Sequence, residues 1–203
     1  MTDAAPHRPQ AGSGAALDGF LDALEAPAPS PCGGSAAALA GAMAAALVTM
    51  VARSSAAWED AAGIATQARA LRSRLTALSD EDAAAFGKVL AAMREPAEGA
   101  PATPEQRDFA LGSALLYAAE VPLRIAEAAA DVAELAALAA TEGSPPLRAD
   151  ASAAAALAEA ATRAAAHLVD INLAIVPGDR HSERAASLAA AAAEARARAL
   201  KAS

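Results

Sequence analysis

The sequence predicts an all-α protein, and three features of its composition and patterning lead to that fold class. Alanine, the residue with the highest helix propensity, fills 70 of the 203 positions. The aromatic residues that strands favour make up only 2% of the chain. Apolar residues recur at helical spacing between short segments that contain Pro and Gly. We therefore expect one domain, an up-and-down bundle of about six to seven helices.

Charge, hydropathy and cysteine content limit the partners and the location that we expect for the chain. Lys and Arg number 16 and Asp and Glu 24, so the net charge of −8 has the wrong sign for nucleic-acid binding. Residues 36–52 approach membrane-spanning length, but most of them are alanine, and we interpret them as a buried core helix. Cys32 is the only cysteine, and the first twenty residues lack a secretory signal. We expect a cytoplasmic protein that binds neither nucleic acid nor a membrane.

Four helices are predicted in the first half of the chain. Residues 1–14 lack periodicity and predict a disordered tail, which leaves 15–203 as the domain. Leu17, Phe20, Leu21 and Leu24 follow the i, i+3, i+4, i+7 pattern of a short helix that ends before Pro27. A loop over 27–34 then leads into helices over 35–54 and 58–78. Ser79 and the three acids after it predict an N-cap, so we expect a fourth helix from there to residue 94.

Three further helices are predicted in the second half. Thr103 as N-cap, Pro104 at the first helical position and Gln106 at the third predict the start of a long helix that runs to about residue 140. Pro122 lies inside it and predicts a kink. A loop over 142–147 precedes a sixth helix over 149–173, and Pro177 with Gly178 ends it. The last helix covers 182–200.

An alanine-rich helix face buries little area per residue, so close approach of the helices must compensate for it. Small side chains allow interaxial distances near the lower end of the usual range of about 8–10 Å. We expect a long bundle with extensive helix contact that is completed by a second subunit, that is, a homodimer.

The segment from Pro29 to Ser35 is the most informative for function. Gly33 and Gly34 directly precede a predicted helix, where a bare backbone can present its amides to a ligand oxygen or an anion. Taken alone, the segment is better explained as a tight loop that only reverses the chain than as a ligand site.

The wider sequence adds a family resemblance. Residues 29–42 are Pro-Ser-Pro-Cys-Gly-Gly-Ser-Ala-Ala-Ala-Leu-Ala-Gly-Ala, and residues 45–51 are Ala-Ala-Leu-Val-Thr-Met-Val. This stretch resembles the formimidoyltetrahydrofolate cyclodeaminase and methenyltetrahydrofolate cyclohydrolase family, in which a Pro-Thr-Pro-Gly-Gly-Gly-Ser loop leads into such a helix. The resemblance covers about residues 15–200. It continues in order and spacing through Asp82 with Ala85-Phe86 and Val89, through Val121-Pro122-Leu123, Ala149-Asp150 and Ile171-Asn172-Leu173.

The resemblance implies an all-α homodimer that binds a reduced folate and acts on the one-carbon unit between its N5 and N10 atoms. Cyclodeaminases close 5-formimidoyltetrahydrofolate to the 5,10-methenyl form with loss of ammonia. Cyclohydrolases open the methenyl form with water to give 10-formyltetrahydrofolate. Both reactions pass through a tetrahedral carbon with proton transfers. The resemblance implies no metal and no cofactor beyond the tetrahydrofolate substrate.

Residue by residue, the resemblance implies a site made of two carboxylates and several binding groups. Asp82 and Asp150 are the predicted catalytic residues; the alternative is that each only interacts with a helix dipole. Asn172 is predicted to bind substrate, or else to make a helix-to-helix hydrogen bond. The loop supplies the other predicted substrate-binding residues, which are Ser30, Gly33, Gly34 and Ser35. The cations Arg53, Lys88, Arg94 and Arg124 are candidates for the glutamate tail of folate.

Three positions depart from the family pattern and keep other functions open. Cys32 stands in place of the first loop glycine, Ala97 in place of a lysine and Leu168 in place of an asparagine. One alternative is a relative that binds folate or another small ligand without catalysis. The other is a purely structural helical dimerisation protein. Of the two reactions, a domain without the formiminotransferase half of the fused members favours the cyclohydrolase.

Overall fold

The computed structural model describes residues 13–26, 31–94, 103–173 and 179–202. Within these ranges every regular element is helical, which confirms the predicted fold class. The elements are α1 (Ser13–Glu25), α2 (Gly33–Arg53), α3 (Ala61–Met93), α4 (Pro104–Glu142), α5 (Arg148–Asn172) and α6 (Arg180–Ala202), with a 3-10 turn (Pro145–Leu147) before α5. Of the predicted tail, residues 1–12 lie outside the described ranges, and Ser13 and Gly14 begin α1.

Helices α2 to α6 run alternately up and down. Gly34 of α2 lies against Asp82 of α3, and Gly41 lies against Leu75, so the two helices run in opposite directions. Asn172, at the end of α5, bonds to Ala118 in α4. Helix α4 lies at the centre and packs against α2, α3, α5 and α6, whereas α1 makes few contacts with the other helices. The start of α2 and the end of α5 therefore lie at the same end of the bundle.

Small residues set how closely the helices pack. A Cβ atom at Gly41 in α2 would lie 3.1 Å from Leu75 Cδ1 in α3 and 3.5 Å from the Cβ of Ala129 in α4. The largest fully buried side chains are few and include Leu75, Leu78 and Ile125, and most of the remaining core is alanine. The close approach expected from the composition is thus present, and it leaves little space inside the bundle.

The predicted break between the third and fourth helices is wrong, because both belong to the single helix α3. Ser79 is buried within α3 and caps nothing. Its carbonyl oxygen accepts a 2.8 Å hydrogen bond from Ser35 Oγ in α2, and its hydroxyl donates to the Ser35 carbonyl oxygen at 3.4 Å. Because the hydroxyl of Ser79 bonds to Ser35 of α2, it does not cap a new helix, and α3 continues without a break at this residue. Helix α2 also begins earlier than expected, with Gly33 and Gly34 in its first turn.

The start signal of the long helix is confirmed. Thr103 Oγ1 accepts from the Gln106 amide at 3.3 Å, and Gln106 Oε1 accepts from the Thr103 amide at 2.9 Å, which is a complete capping box. Pro122 lies inside α4, and the helix continues past it as far as Glu142.

Two helices of the described chain, Gly33–Arg53 and Glu105–Glu142, are long and apolar enough to cross a membrane. Both have the packing of core helices. Val48 and Val51 of the first are fully buried inside the bundle. The second carries Arg124 and Glu127, which form ion pairs with α3, and such charges are costly in a bilayer. The expected core helix over 36–52 lies within α2.

Candidate active site

A cavity of about 200 Å³ opens at the end of the bundle where α2 begins and α5 ends. Asp82 and Cys32 are the ionisable groups among its described lining residues. Gly33, which has no side chain, and the side-chain amide of Asn172 also line it. The rest of the wall is apolar and consists of Ala85, Phe86, Ala118, Pro122, Leu168 and Ile171. An apolar wall with a few polar groups is typical of a ligand site.

The carboxyl group of Asp82 packs directly on the first turn of α2. A Cβ atom at Gly34 would come within 2.1 Å of Asp82 Oδ1, so only glycine allows this contact. Cys32, the N-cap residue of α2, makes no side-chain capping bond. Asp82 therefore supplies from α3 the negative charge that the N-terminus of α2 favours. The helix that begins with the two glycines does have an anion at its N-terminus, as expected, but that anion is the Asp82 side chain.

Two side chains of α2 contact the same carboxylate oxygen. Ser35 Oγ lies 3.3 Å from Asp82 Oδ2, and Cys32 Sγ lies 3.4 Å from it. Ser35 is fully buried and also donates to the Ser79 carbonyl oxygen at the shorter distance of 2.8 Å. Since Ser35 is shielded from solvent, it positions Asp82, and its predicted contact with substrate stays a prediction.

These surroundings shift both ionisable groups of the cavity. Burial raises the pKa of Asp82 above its ordinary value, and hydrogen bonds from Cys32 and Ser35 oppose that rise. Burial also raises the pKa of the Cys32 thiol, and the nearby Asp82 charge raises it further. A carboxyl group with a raised pKa exchanges protons closer to neutral pH, whereas the thiol stays protonated there.

Asn172 is placed by the proline of α4. Pro122 has no N–H to donate to the carbonyl four residues earlier, that of Ala118. Asn172 Nδ2 donates to that oxygen at 2.6 Å. The helix-to-helix bond that was the alternative for Asn172 is therefore present. The residue also lines the cavity, and its predicted role in substrate binding stays open.

Charged residues lie beside the cavity on α3 and α4. Arg124 pairs with Glu81, the neighbour of Asp82, and the Tyr117 hydroxyl lies 3.4 Å from the same carboxylate. Lys88 Nζ lies 4.1 Å from the centre of the Tyr117 ring. Lys88 and Arg124 are thus the two predicted tail-binding cations that flank the site. Arg53 lies at the far end of α2.

The structure does not bring every predicted site residue together. Asp82, Gly33 and Asn172 line the cavity, and Gly34 and Ser35 contact Asp82. Asp150, by contrast, lies in the first turn of α5. At 1.5 Å per residue, the 22 positions from Asp150 to the end of α5 span about 33 Å. Within one chain the two carboxylates cannot touch one substrate.

Some predicted positions lie outside the described residues, and some lining residues were not predicted. Ser30 and Ala97 belong to the first group. Phe86, Pro122 and Leu168 belong to the second, because the sequence identifies them as positions of the family pattern but not as the wall of a cavity. Among the residues that the structure describes, no group of three or more His, Cys, Asp or Glu could hold a metal ion.

Comparison with known proteins agrees with this architecture. The profile of the family described as formiminotransferase-cyclodeaminase matches residues 16–196. The methenyltetrahydrofolate cyclohydrolase of Methylorubrum extorquens strain AM1 is 33% identical over 163 residues, which cover 77% of this chain and 78% of that protein. The crystal structure of formiminotetrahydrofolate cyclodeaminase from Thermotoga maritima matches with a TM-score of 0.79 and 28% identity, covering 92% of this chain and 94% of that one. The chain therefore belongs to the formiminotransferase-cyclodeaminase family.

Proposed function

We propose that this protein is a methenyltetrahydrofolate cyclohydrolase, which opens 5,10-methenyltetrahydrofolate with water to give 10-formyltetrahydrofolate. The observation that carries the proposal is the buried carboxyl group of Asp82 on the wall of the cavity. The named activity of the Methylorubrum relative, which this chain matches over 78% of its length, supports the same reaction.

In this mechanism Asp82 moves the proton. As a carboxylate it accepts a proton from water while the water oxygen attacks the electrophilic methenyl carbon. The resulting tetrahedral carbon bears a hydroxyl group and is bonded to N5 and N10. Asp82 then returns the proton to N5 as the bond from carbon to N5 breaks, and the hydroxyl proton leaves to solvent as the formyl group forms on N10. A carboxyl group whose pKa is raised by burial suits both transfers.

The apolar wall supplies the surroundings for that step. Phe86, Pro122 and Leu168 limit the water that reaches the carbon and leave Asp82 as the nearby base. The cavity is smaller than the roughly 300–1,000 Å³ of a typical ligand site. It would therefore hold the part of the folate that carries the reacting carbon, with the glutamate tail extending toward Lys88 and Arg124 on the α3 and α4 side.

Cyclodeamination is the second candidate, because the Thermotoga structure carries that name. It would use the same tetrahedral carbon, but the leaving amine must receive a proton as well. Among the described lining residues Asp82 is the only carboxyl group, and Leu168 contributes no polar atom where the family has an asparagine. This composition favours the hydrolytic reaction.

A homodimer and a cytoplasmic location are part of the proposal. Helix α1 lies over α2 and α3 and leaves a groove of about 840 Å³ with a largely apolar lining. Leu17, Leu21 and Met43 expose 40–51% of their surface there. A second copy that covered this groove would bury these side chains.

Parallel assays with methenyl- and formimidoyl-tetrahydrofolate test the proposal. We expect the methenyl absorbance to decay faster than its spontaneous rate, without a matching release of ammonia from the formimidoyl compound. Faster ammonia release would identify a cyclodeaminase. If neither substrate turns over, a folate-induced stabilisation of about 2.7 kcal/mol at 100 times Kd would identify a binding protein. The absence of both turnover and stabilisation would favour a structural role.

A further inference from the structure

We infer that Cys32 is a positioning residue, whose thiol donates a hydrogen bond to Asp82 Oδ2 and holds that carboxylate at the cavity. The inference rests on the proposed function, because it concerns the group that moves the proton. Cys32 stands at the N-cap of α2 and lines the cavity together with Asp82.

The number of available protons supports this role. Ser35 has one hydroxyl proton and two acceptors, the Ser79 carbonyl oxygen at 2.8 Å and Asp82 Oδ2 at 3.3 Å. The shorter and fully buried contact with Ser79 competes for that proton. Cys32 Sγ lies 3.4 Å from Oδ2, a normal distance for a sulfur donor, and no other acceptor for it is found in the described chain. The thiol is therefore a donor that Asp82 does not have to share.

The other helices packed against Asp82 offer no competing charge. From α4 and α5 the cavity presents Ala118, Pro122, Leu168 and Asn172, none of which ionises. On α3 itself, Glu81 is engaged by Arg124 and Lys88 by the Tyr117 ring, and Asp80 lines the groove between α1, α2 and α3 instead of the cavity. Cys32 is thus the titratable group of the described residues that faces Asp82.

Cys32 and Asp82 shift each other's pKa in opposite directions. The hydrogen bond from Cys32 lowers the pKa of Asp82 against the rise caused by burial. The Asp82 charge in turn raises the pKa of the thiol, so that the thiol keeps its proton and remains a donor. A glycine at this position would leave the carboxylate with donors from Ser35 alone.

A titration of the thiol tests the coupling without any turnover. Cys32 is the only cysteine, so thiolate absorbance in the ultraviolet reports on it directly. We expect the thiol of the unmodified protein to titrate above its ordinary value of 9.0 and that of Asp82→Asn to titrate at lower pH. Asp60→Asn, an exposed N-cap at the opposite end of α3, is the control. Equal titration of the unmodified protein and Asp82→Asn would overturn the inference. Asp82→Ala serves if circular dichroism shows that the asparagine variant is unfolded.

The pH profile of turnover is the second readout. In Cys32→Ala the acid limb of kcat/KM is expected to move to higher pH. Turnover on that limb should fall about tenfold, which corresponds to one hydrogen bond to a charged group, about 1.4 kcal/mol. Cys32→Ser retains a donor and should keep the limb in place. An unmoved limb in Cys32→Ala would contradict the inference. Absence of turnover in the unmodified protein would refute the proposed function instead, and the thiol titration would still decide the role of Cys32.

Discussion

The contact between Asp82 and Gly34 shows what a single residue can and cannot reveal in this sequence. Both residues can be chosen as site residues from the sequence, because a glycine pair before a helix and an acid in a family motif are visible there. Their contact is not visible, since Gly34 and Asp82 are 48 positions apart in the sequence. The sequence also suggested that Asp82 serves the start of its own helix. Asp82 lies inside α3, because that helix continues through Ser79, and its carboxyl group contacts the start of α2.

The buried Asp82 carboxyl group should make stability depend on pH. Its pKa is raised in the folded protein, mainly by burial, relative to about 3.9 in an unfolded chain. The stability that this group contributes is therefore complete below the unfolded value and is lost as the pH rises through the folded value. We expect urea unfolding to show that Asp82→Asn gains stability relative to the unmodified protein as the pH rises from about 4 to neutral. A relative gain on acidification would contradict this assignment.

At the scale of the elements, the first turn of α2 offers a matched pair of glycines. A Cβ atom at Gly34 would collide with both carboxylate oxygens of Asp82, whereas one at Gly33 would meet only Leu168 Cδ1, at 4.0 Å. We expect Gly34→Ala to cost about 1–3 kcal/mol of stability and to displace Asp82. Gly33→Ala should be neutral or stabilising by up to about 1 kcal/mol. Thermal unfolding of the two variants measures the difference, and equal stabilities would show that Gly34 is not needed for the contact.

The link between α4 and α5 can be tested by a double-mutant cycle. Asn172→Leu should cost about 1–3 kcal/mol, since it leaves the Ala118 carbonyl oxygen without its 2.6 Å partner. In a Pro122→Ala background the residue at 122 again has an N–H for that oxygen, so the same substitution should cost less. Denaturant unfolding of the four proteins gives the coupling energy. Additive effects would mean that Asn172 does not replace the missing helical bond.

The helix boundaries show which sequence signals were sufficient. Thr103, Pro104 and Gln106 form a local signal that needs no other part of the chain, and α4 begins there as predicted. Ser79 and the acids after it carry a similar signal, but no proline or glycine lies before them to interrupt the helix. The hydroxyl of Ser79 bonds to α2 instead, a contact that local pattern cannot supply. The seven helices delimited along the sequence are therefore six in the described chain, a number within the expected six to seven.

At the scale of the whole molecule, the bundle separates two surfaces. The cavity lies at the end where α2 begins, and the apolar groove lies along the side formed by α1, α2 and α3. The composition predicted the alanine-packed interior, which the core shows. It also led to the expectation of a second subunit, because alanine buries little surface, and that subunit stays a prediction. It could not predict which face stays uncovered, since that depends on how α1 lies across its neighbours.

We predict that the groove is the dimer interface. Leu21→Lys combined with Met43→Lys should yield a monomer, because two ammonium groups would be buried at the contact. Leu138→Lys is the control, because Leu138 is as exposed as these residues, at 45%, and does not line the groove. Light scattering should give twice the mass of one chain for the unmodified protein and the control. A double variant that remains dimeric would place the interface elsewhere.

The central claim is that the chemistry takes place in the cavity at Asp82. The most direct measurement compares the decay of methenyltetrahydrofolate absorbance with Asp82→Asn and with Asp150→Asn. Asp150 is the other predicted catalytic carboxylate and lies about 33 Å along α5 from the end of that helix that lines the cavity. We predict that Asp82→Asn lowers kcat/KM by about 100-fold or more, the usual contribution of a general base. Asp150→Asn should stay close to the unmodified protein. Full activity in Asp82→Asn, or a comparable loss in Asp150→Asn alone, would contradict the account.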